Sequence, residues 1–163
     1  MTKQIAVERL SVVSSKPFKE ILNVIDAAIG HPDLRELHKS IAAAKTYSEM
    51  ESAVHKVVGP TDLMEFMRLD LGEVIAKGRN GNTPKSLRLL VGNPVIMRQM
   101  TELVPDAGAY APVTILIDER ADGVHLSYDR MASLLAPYQN PEALNVAKDL
   151  DLKVETLLTK AAS

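Results

Sequence analysis

A chain of 163 residues and 17.8 kDa holds enough material for one hydrophobic core and too little for two, so residues 1–163 read as a single domain. Hydrophobic residues at 46% and charged residues at 25% exclude a disordered chain, and no apolar run reaches the length needed to cross a bilayer. A net charge of −2 with four Tyr and two Phe lacks the basic footprint and stacking platform of a nucleic-acid binder, and the absence of cysteine removes disulfides, thiol nucleophiles and thiolate-held metals.

The opening MTKQIAVERL is polar and charged, unlike a secretion signal, so a cytoplasmic location is expected. Residues 5–14 are rich in β-branched side chains and predict a first strand. Ser15 is placed to cap a following helix with Pro17 in its first turn. Phe18, Ile21, Leu22, Ile25, Ala28 and Ile29 then recur at helical spacing until Gly30, where His31-Pro32 stops the helix. A second helical pattern runs through Leu34, Leu37, Ile41, Ala44, Tyr47, Met50, Val54 and Val57, either continuous or broken near Lys45-Thr46, and ends at Gly59-Pro60. Residues 63–69 predict a second strand, followed by one or two helical turns through Leu71, Val74 and Ile75. The stretch 78–84, Gly-Arg-Asn-Gly-Asn-Thr-Pro, reads as a mobile connection.

Residues 86–91 predict a third strand. It runs into Gly92-Asn93-Pro94, where Asn93 is placed to cap and Pro94 to start a short helix carrying Ile96, Met97, Met100 and Leu103. Residues 105–108 end that helix. Strands are expected at 113–117 and 124–128, joined as a hairpin whose terminal Asp122-Gly123 suits a positive φ. A short helix over 131–135 and a longer one after Asn140-Pro141, with Leu144, Ala147, Leu150, Val154, Leu157 and Leu158 on one side, complete the chain. Strands this few and this consecutive do not build a doubly wound parallel sheet. They predict an α+β fold, a mostly antiparallel sheet with helices packed on one face.

The run Leu-Leu-Val-Gly92-Asn93-Pro94, then Met100, Pro105-x-x-Gly108, Pro112-Val113 and Asp122-Gly123 before Val-His-Leu-Ser-Tyr128-Asp129, resembles the domain of unknown function 302 family. The opening strand and Phe18 helix, and the strand at 63–69, fall in that family's order, so the resemblance covers about two-thirds of the chain. Residues 31–59 look like a helical insertion. The resemblance implies a TATA-binding-protein-like fold with one curved antiparallel sheet, and often a homodimer, but no established chemistry. The chain differs in carrying Asp129-Arg130 where Asp-Pro is frequent, and in its longer first helical region.

Candidate chemistry is sparse. His31 and His38 lie seven apart, which on one uninterrupted helix would place both on one face for a metal or a haem, but Pro32 assigns His31 to the preceding turn and no third ligand is evident. Both read more simply as exposed polar residues, as does His55. On a strand His125 shares a face with Ser127 and Asp129, while Val124, Leu126 and Tyr128 share the other. Alternate residues on a strand stand roughly 7 Å apart in line, too far for a nucleophilic triad, so a solvated strand face comes first and a polar ligand contact second. Gly92-Asn93-Pro94 exposes backbone N–H groups at a helix start, but nothing Gly-rich or Lys-bearing follows to make a nucleotide loop. Pairs such as Glu119 with Asp122, or Glu49 with Glu51, read as surface charge. Met64, Met67, Met97, Met100 and Met131 are many for so few aromatics: their flexible thioethers either fill an irregular core or line an adaptable apolar cavity.

Two classes of function follow. The first is a non-enzymatic, cytoplasmic homodimer, assembled through the sheet or the added helices, that binds a small apolar or amphipathic molecule near the Met97 helix. Asn93, Met97, Met100, His125 and Tyr128 are its candidate contacts. The alternatives are an enzyme acting on a small substrate through His125 with Asp129 or Tyr128, and a haem or metal protein using a helical His, with His31 and His38 as candidates. No motif names a cofactor, and neither nucleic acid nor membrane is expected as a partner.

Overall fold

In the computed structural model, which describes residues 2–79, 81 and 83–163, five strands form one sheet in the order β1-β5-β4-β3-β2, and every neighbouring pair is antiparallel. The strands are β1 (Arg9–Ser14), β2 (Met64–Asp70), β3 (Ser86–Gly92), β4 (Val113–Arg120) and β5 (Gly123–Asp129). Among the described residues there are seven α-helices: α1 (Phe18–Ala28), α2 (Leu34–Ala43), α3 (Tyr47–His55), α4 (Leu71–Ala76), α5 (Pro94–Thr101), α6 (Met131–Leu135) and α7 (Pro141–Ala162). The fold is α+β, as expected. Residues 105–108 fall in a 3-10 turn, and Asn80 and Asn82, within the connection expected to be mobile, lie outside the described residues. No helix among the described residues is long and apolar enough to cross a membrane.

Alternation along the strands decides which face the helices cover. Leu89 and Val91 on β3, Ile115 and Ile117 on β4, and Leu126 and Tyr128 on β5 turn inward to meet Ile21 and Ile25 of α1, Met100 of α5 and the stripe of α7. That stripe is Ala143, Ala147, Leu150, Val154, Leu157 and Leu158, so Ala143 rather than Leu144 begins it. Each large side chain fully removed from water here is worth about 1.5–3 kcal/mol, which makes this face the main source of stability. The opposite face carries Val13 and Met67, each 50% exposed, with Leu69, Leu90 and Leu116 among Arg9, Arg88, Asp118 and Asp129.

Several boundaries differ from the sequence reading, β2 and β3 by a single residue. β1 begins at Arg9 rather than at residue 5, because β5 ends opposite it at Asp129 and offers no partner further on. Glu8 instead ties to the start of α6: its N–H donates to Ser133 Oγ at 3.0 Å and its carbonyl accepts from Arg130 N at 2.9 Å. Ser15 does not cap α1, whose N-cap is Pro17 without a side-chain bond. Ser14 Oγ accepts from Lys16 N at 3.2 Å and donates to the Ala162 carbonyl at 2.7 Å, tying β1 to the end of α7. The hairpin is tighter than expected, since Arg120 pairs with Gly123, whose φ of 139° only glycine tolerates readily.

The helical pattern after Gly30 is broken, as one of its two readings allowed. Asp33 Oδ1 caps α2 by accepting from Arg35 N at 2.8 Å, and Thr46 Oγ1 starts α3 by accepting from Glu49 N at 3.2 Å. The two ends of this segment close on each other at Gly30 and Gly59. Both backbone N–H groups donate to the Leu63 carbonyl at 2.8 Å, and a Cβ on Gly30 would lie 1.9 Å from the Val57 oxygen. The α2-α3 pair therefore leaves the sheet and returns through a neck that admits no side chain.

Candidate functional site

An apolar pocket of about 480 Å³ opens where β3 runs into α5. One wall is α5 and its entry turn, contributing Asn93, Ile96, Met97 and Met100. The facing wall is the α2-α3 pair, through His38, Ile41 and Met50. Phe66 of β2, Pro112 and Val113 at the start of β4, and Leu150 of α7 supply the remaining sides. This size is in the range of small-molecule sites, and walls of aliphatic, thioether and aromatic groups can adapt to an apolar guest without a fixed polar code.

Local sequence explains the shape. Asn93 Oδ1 accepts from Val95 N at 2.8 Å and starts α5, with Pro94 in the first turn. Its amide donates to the Asp62 carbonyl at 2.9 Å and to Asp62 Oδ1 at 3.1 Å, so the polar atoms of Asn93 are spent on the fold, and it meets the pocket as a wall. Gly92 keeps the floor low, because a Cβ there would touch Pro112 and Phe66 at 3.4 and 3.5 Å. At the rim, the Arg98 guanidinium stacks 4.3 Å from the centre of the Tyr47 ring and pairs with Glu102, bridging α5 to α3 across the pocket mouth.

The pocket gathers Asn93, Met97 and Met100 from the expected contacts and does not include His125 or Tyr128. His125 shares the open sheet face with Ser127 and Asp129, as the alternation requires, but its Nε2 lies 2.8 Å from Asp122 Oδ1 in the hairpin turn. Asp129 is held by Arg9 at 2.6 Å, and each partner pulls its carboxyl below the ordinary range through that hydrogen bond. Tyr128 points into the core, where its hydroxyl donates to Asp151 Oδ1 at 2.6 Å. Burial and the neighbouring carboxylate push that phenol upward, so it stays protonated. The groups of the enzymatic reading thus face three different environments.

His31 and His38 part company as well. His31 Nε2 lies 3.0 Å from the Asp26 carbonyl and its Nδ1 3.7 Å from Glu65, whereas His38 lines the pocket. Among the described residues, no group of three or more His, Cys, Asp or Glu is arranged to hold a metal ion. Of the methionines singled out, Met64 and Met131 are fully buried and Met67 lies on the open face.

A family model described as domain of unknown function DUF302 matches residues 37–161. The chain belongs to this family. Among solved structures, an uncharacterized conserved DUF302 protein from Bacillus stearothermophilus is similar, with a TM-score of 0.63 at 11% identity over 95% of this chain and 98% of that one. That likeness is one of fold. No curated protein matches the chain.

Within this DUF302 chain, sequence reasoning overlooked Ile41, Met50, Phe66, Arg98 and Leu150 as pocket residues. Met50 carried a usable signal, since it falls on the apolar pattern of the second helical stretch. Phe66 carried none, because its place at the pocket follows from a break in the β2-β3 register between Glu65 and Met67.

Proposed function

We propose that this DUF302 protein is a non-enzymatic binding protein that takes a small apolar or amphipathic molecule into the pocket beside α5, and that it works as a homodimer. The supporting observation is the pocket itself: apolar walls drawn from α2, α3, α5, β2, β4 and α7 with three thioethers, Met50, Met97 and Met100, among them. In this reading residues 31–59 are a helical addition that supplies the outer wall. The sheet is the TATA-binding-protein-like platform implied by the family resemblance, and a second copy covers its open face around Leu90 and Leu116. Native mass spectrometry of gently purified protein tests the binding: an adduct lost on denaturation supports it. A bare mass, together with no saturable binding of an apolar fluorophore, rejects it.

One observation favours a second reading. His38 lines the same pocket as the three methionines, and His with Met is a known ligand set for haem iron. The visible spectrum of the protein expressed with haem supplied decides this: a Soret band abolished by His38→Ala supports ligation, and a colourless protein dismisses it.

A further inference from the structure

The guest's chemistry is written at the pocket rim. Among the described residues, no acidic side chain lines the pocket, while two basic ones, His38 on α2 and Arg98 on α5, do. Three of the four histidines sit against carboxylates: His31 beside Glu65, His55 beside Glu51 and Asp62, and His125 beside Asp122. Among the described residues His38 has no such partner, and its exposed ring keeps an N–H for a guest. Arg98 is positioned by Tyr47 and engages Glu102, which is itself 53% exposed and leaves most of the five guanidinium donors unused. Ile41, Met50, Phe66 and Met97 present the accessible apolar surface, and Met100 and Leu150, 0% and 2% exposed, close the floor beneath them.

Resting on the binding reading above, we infer that the pocket selects an anionic amphiphile, a single apolar chain or ring system ending in a carboxylate, with the head between His38 and Arg98 and the tail against Ile41, Met50 and Phe66. A carboxylate in that place gains charge-assisted hydrogen bonds at a half-exposed rim. A neutral head of the same length gains only ordinary ones. Glu102 competes with the guest for Arg98, so its removal strengthens binding.

Decanoate and decanol, titrated separately into the full-length protein by calorimetry, test this. The wild type is expected to favour decanoate by about fivefold, and His38→Ala and Arg98→Gln each to weaken decanoate by about fivefold while leaving decanol within about twofold. Glu102→Gln is expected to tighten decanoate alone. Equal affinity for the two chains in the wild type, or variants that weaken both alike, overturns the anionic-head assignment and leaves the apolar pocket standing. No binding of either chain removes the pocket reading itself.

Discussion

At the residue scale the least replaceable polar group is Asp151, 5% exposed on α7. Its carboxylate accepts from Tyr128 Oη at 2.6 Å, Met131 N at 2.7 Å and Ala132 N at 3.0 Å, so one side chain of α7 supplies the missing cap of α6 and fixes the end of β5. Asp151→Ala leaves the Tyr128 hydroxyl and the Ala132 N–H without a partner and Met131 N–H with only its 3.3 Å bond to Tyr128 Oη. At about 1–3 kcal/mol for each buried donor, less any relaxation, the variant should lose about 3 kcal/mol in urea unfolding; a loss under about 1 kcal/mol would show that α6 has another anchor. Burial pushes the Asp151 carboxyl above its ordinary range against the pull of those donors. A group whose folded value lies above its unfolded one binds protons more readily in the native state, so its contribution to stability falls as pH rises from near 4 through the folded value. Asp151→Asn cannot titrate. The stability of the wild type relative to that variant should therefore decline across this window, and a relative gain would contradict the assignment. Nothing in the sequence announced this role, because the partners lie 19, 20 and 23 residues away. For the same reason Tyr128 reads from sequence as a ligand contact, when its hydroxyl is committed to the core.

At the scale of elements, the helices and strands were largely legible because each carries a local signal. Asn93-Pro94 and Asn140-Pro141 start α5 and α7, as expected. The errors sit at element ends: β1 is trimmed by where β5 stops, and α1 begins at Phe18 with Pro17 rather than Ser15 at its N-cap. The meeting of Gly30 and Gly59 has no local signature beyond two glycines that read as helix stops. A Cβ on Gly59 would fall 2.4 Å from the Ile29 carbonyl carbon, so Gly59→Ala must open the neck. It should cost about 2 kcal/mol or more, and it should weaken binding of an apolar fluorophore because Ile41 and Met50 move with the neck. Gly108→Ala is the control: its Cβ would meet only Thr101 Cγ2 at 3.5 Å, and stability within about 1 kcal/mol of wild type is expected. Equal losses in the two variants would mean the neck is not under the constraint described.

For the whole molecule, one sheet face is roofed and the other bare, and this followed from strand order and alternation alone. The pocket was legible only in part, since Asn93, Met97 and Met100 lie on one segment while the opposite wall is brought by a helical pair about 40 to 60 residues earlier in the chain. Dimerisation through the bare face predicts a light-scattering mass about twice 17.8 kDa, reduced to the monomer by Leu116→Lys with the thermal midpoint retained; a wild-type monomer at high concentration would reject the dimer and leave the pocket untouched. The central claim, an apolar guest held beside α5, is met most directly by methyl NMR of protein labelled at its methionines, titrated with decanol. A guest held there shifts Met50, Met97 and Met100 saturably and leaves Met64 and Met131 unmoved. Unchanged spectra, or shifts spread evenly over all of the methionines, would contradict it.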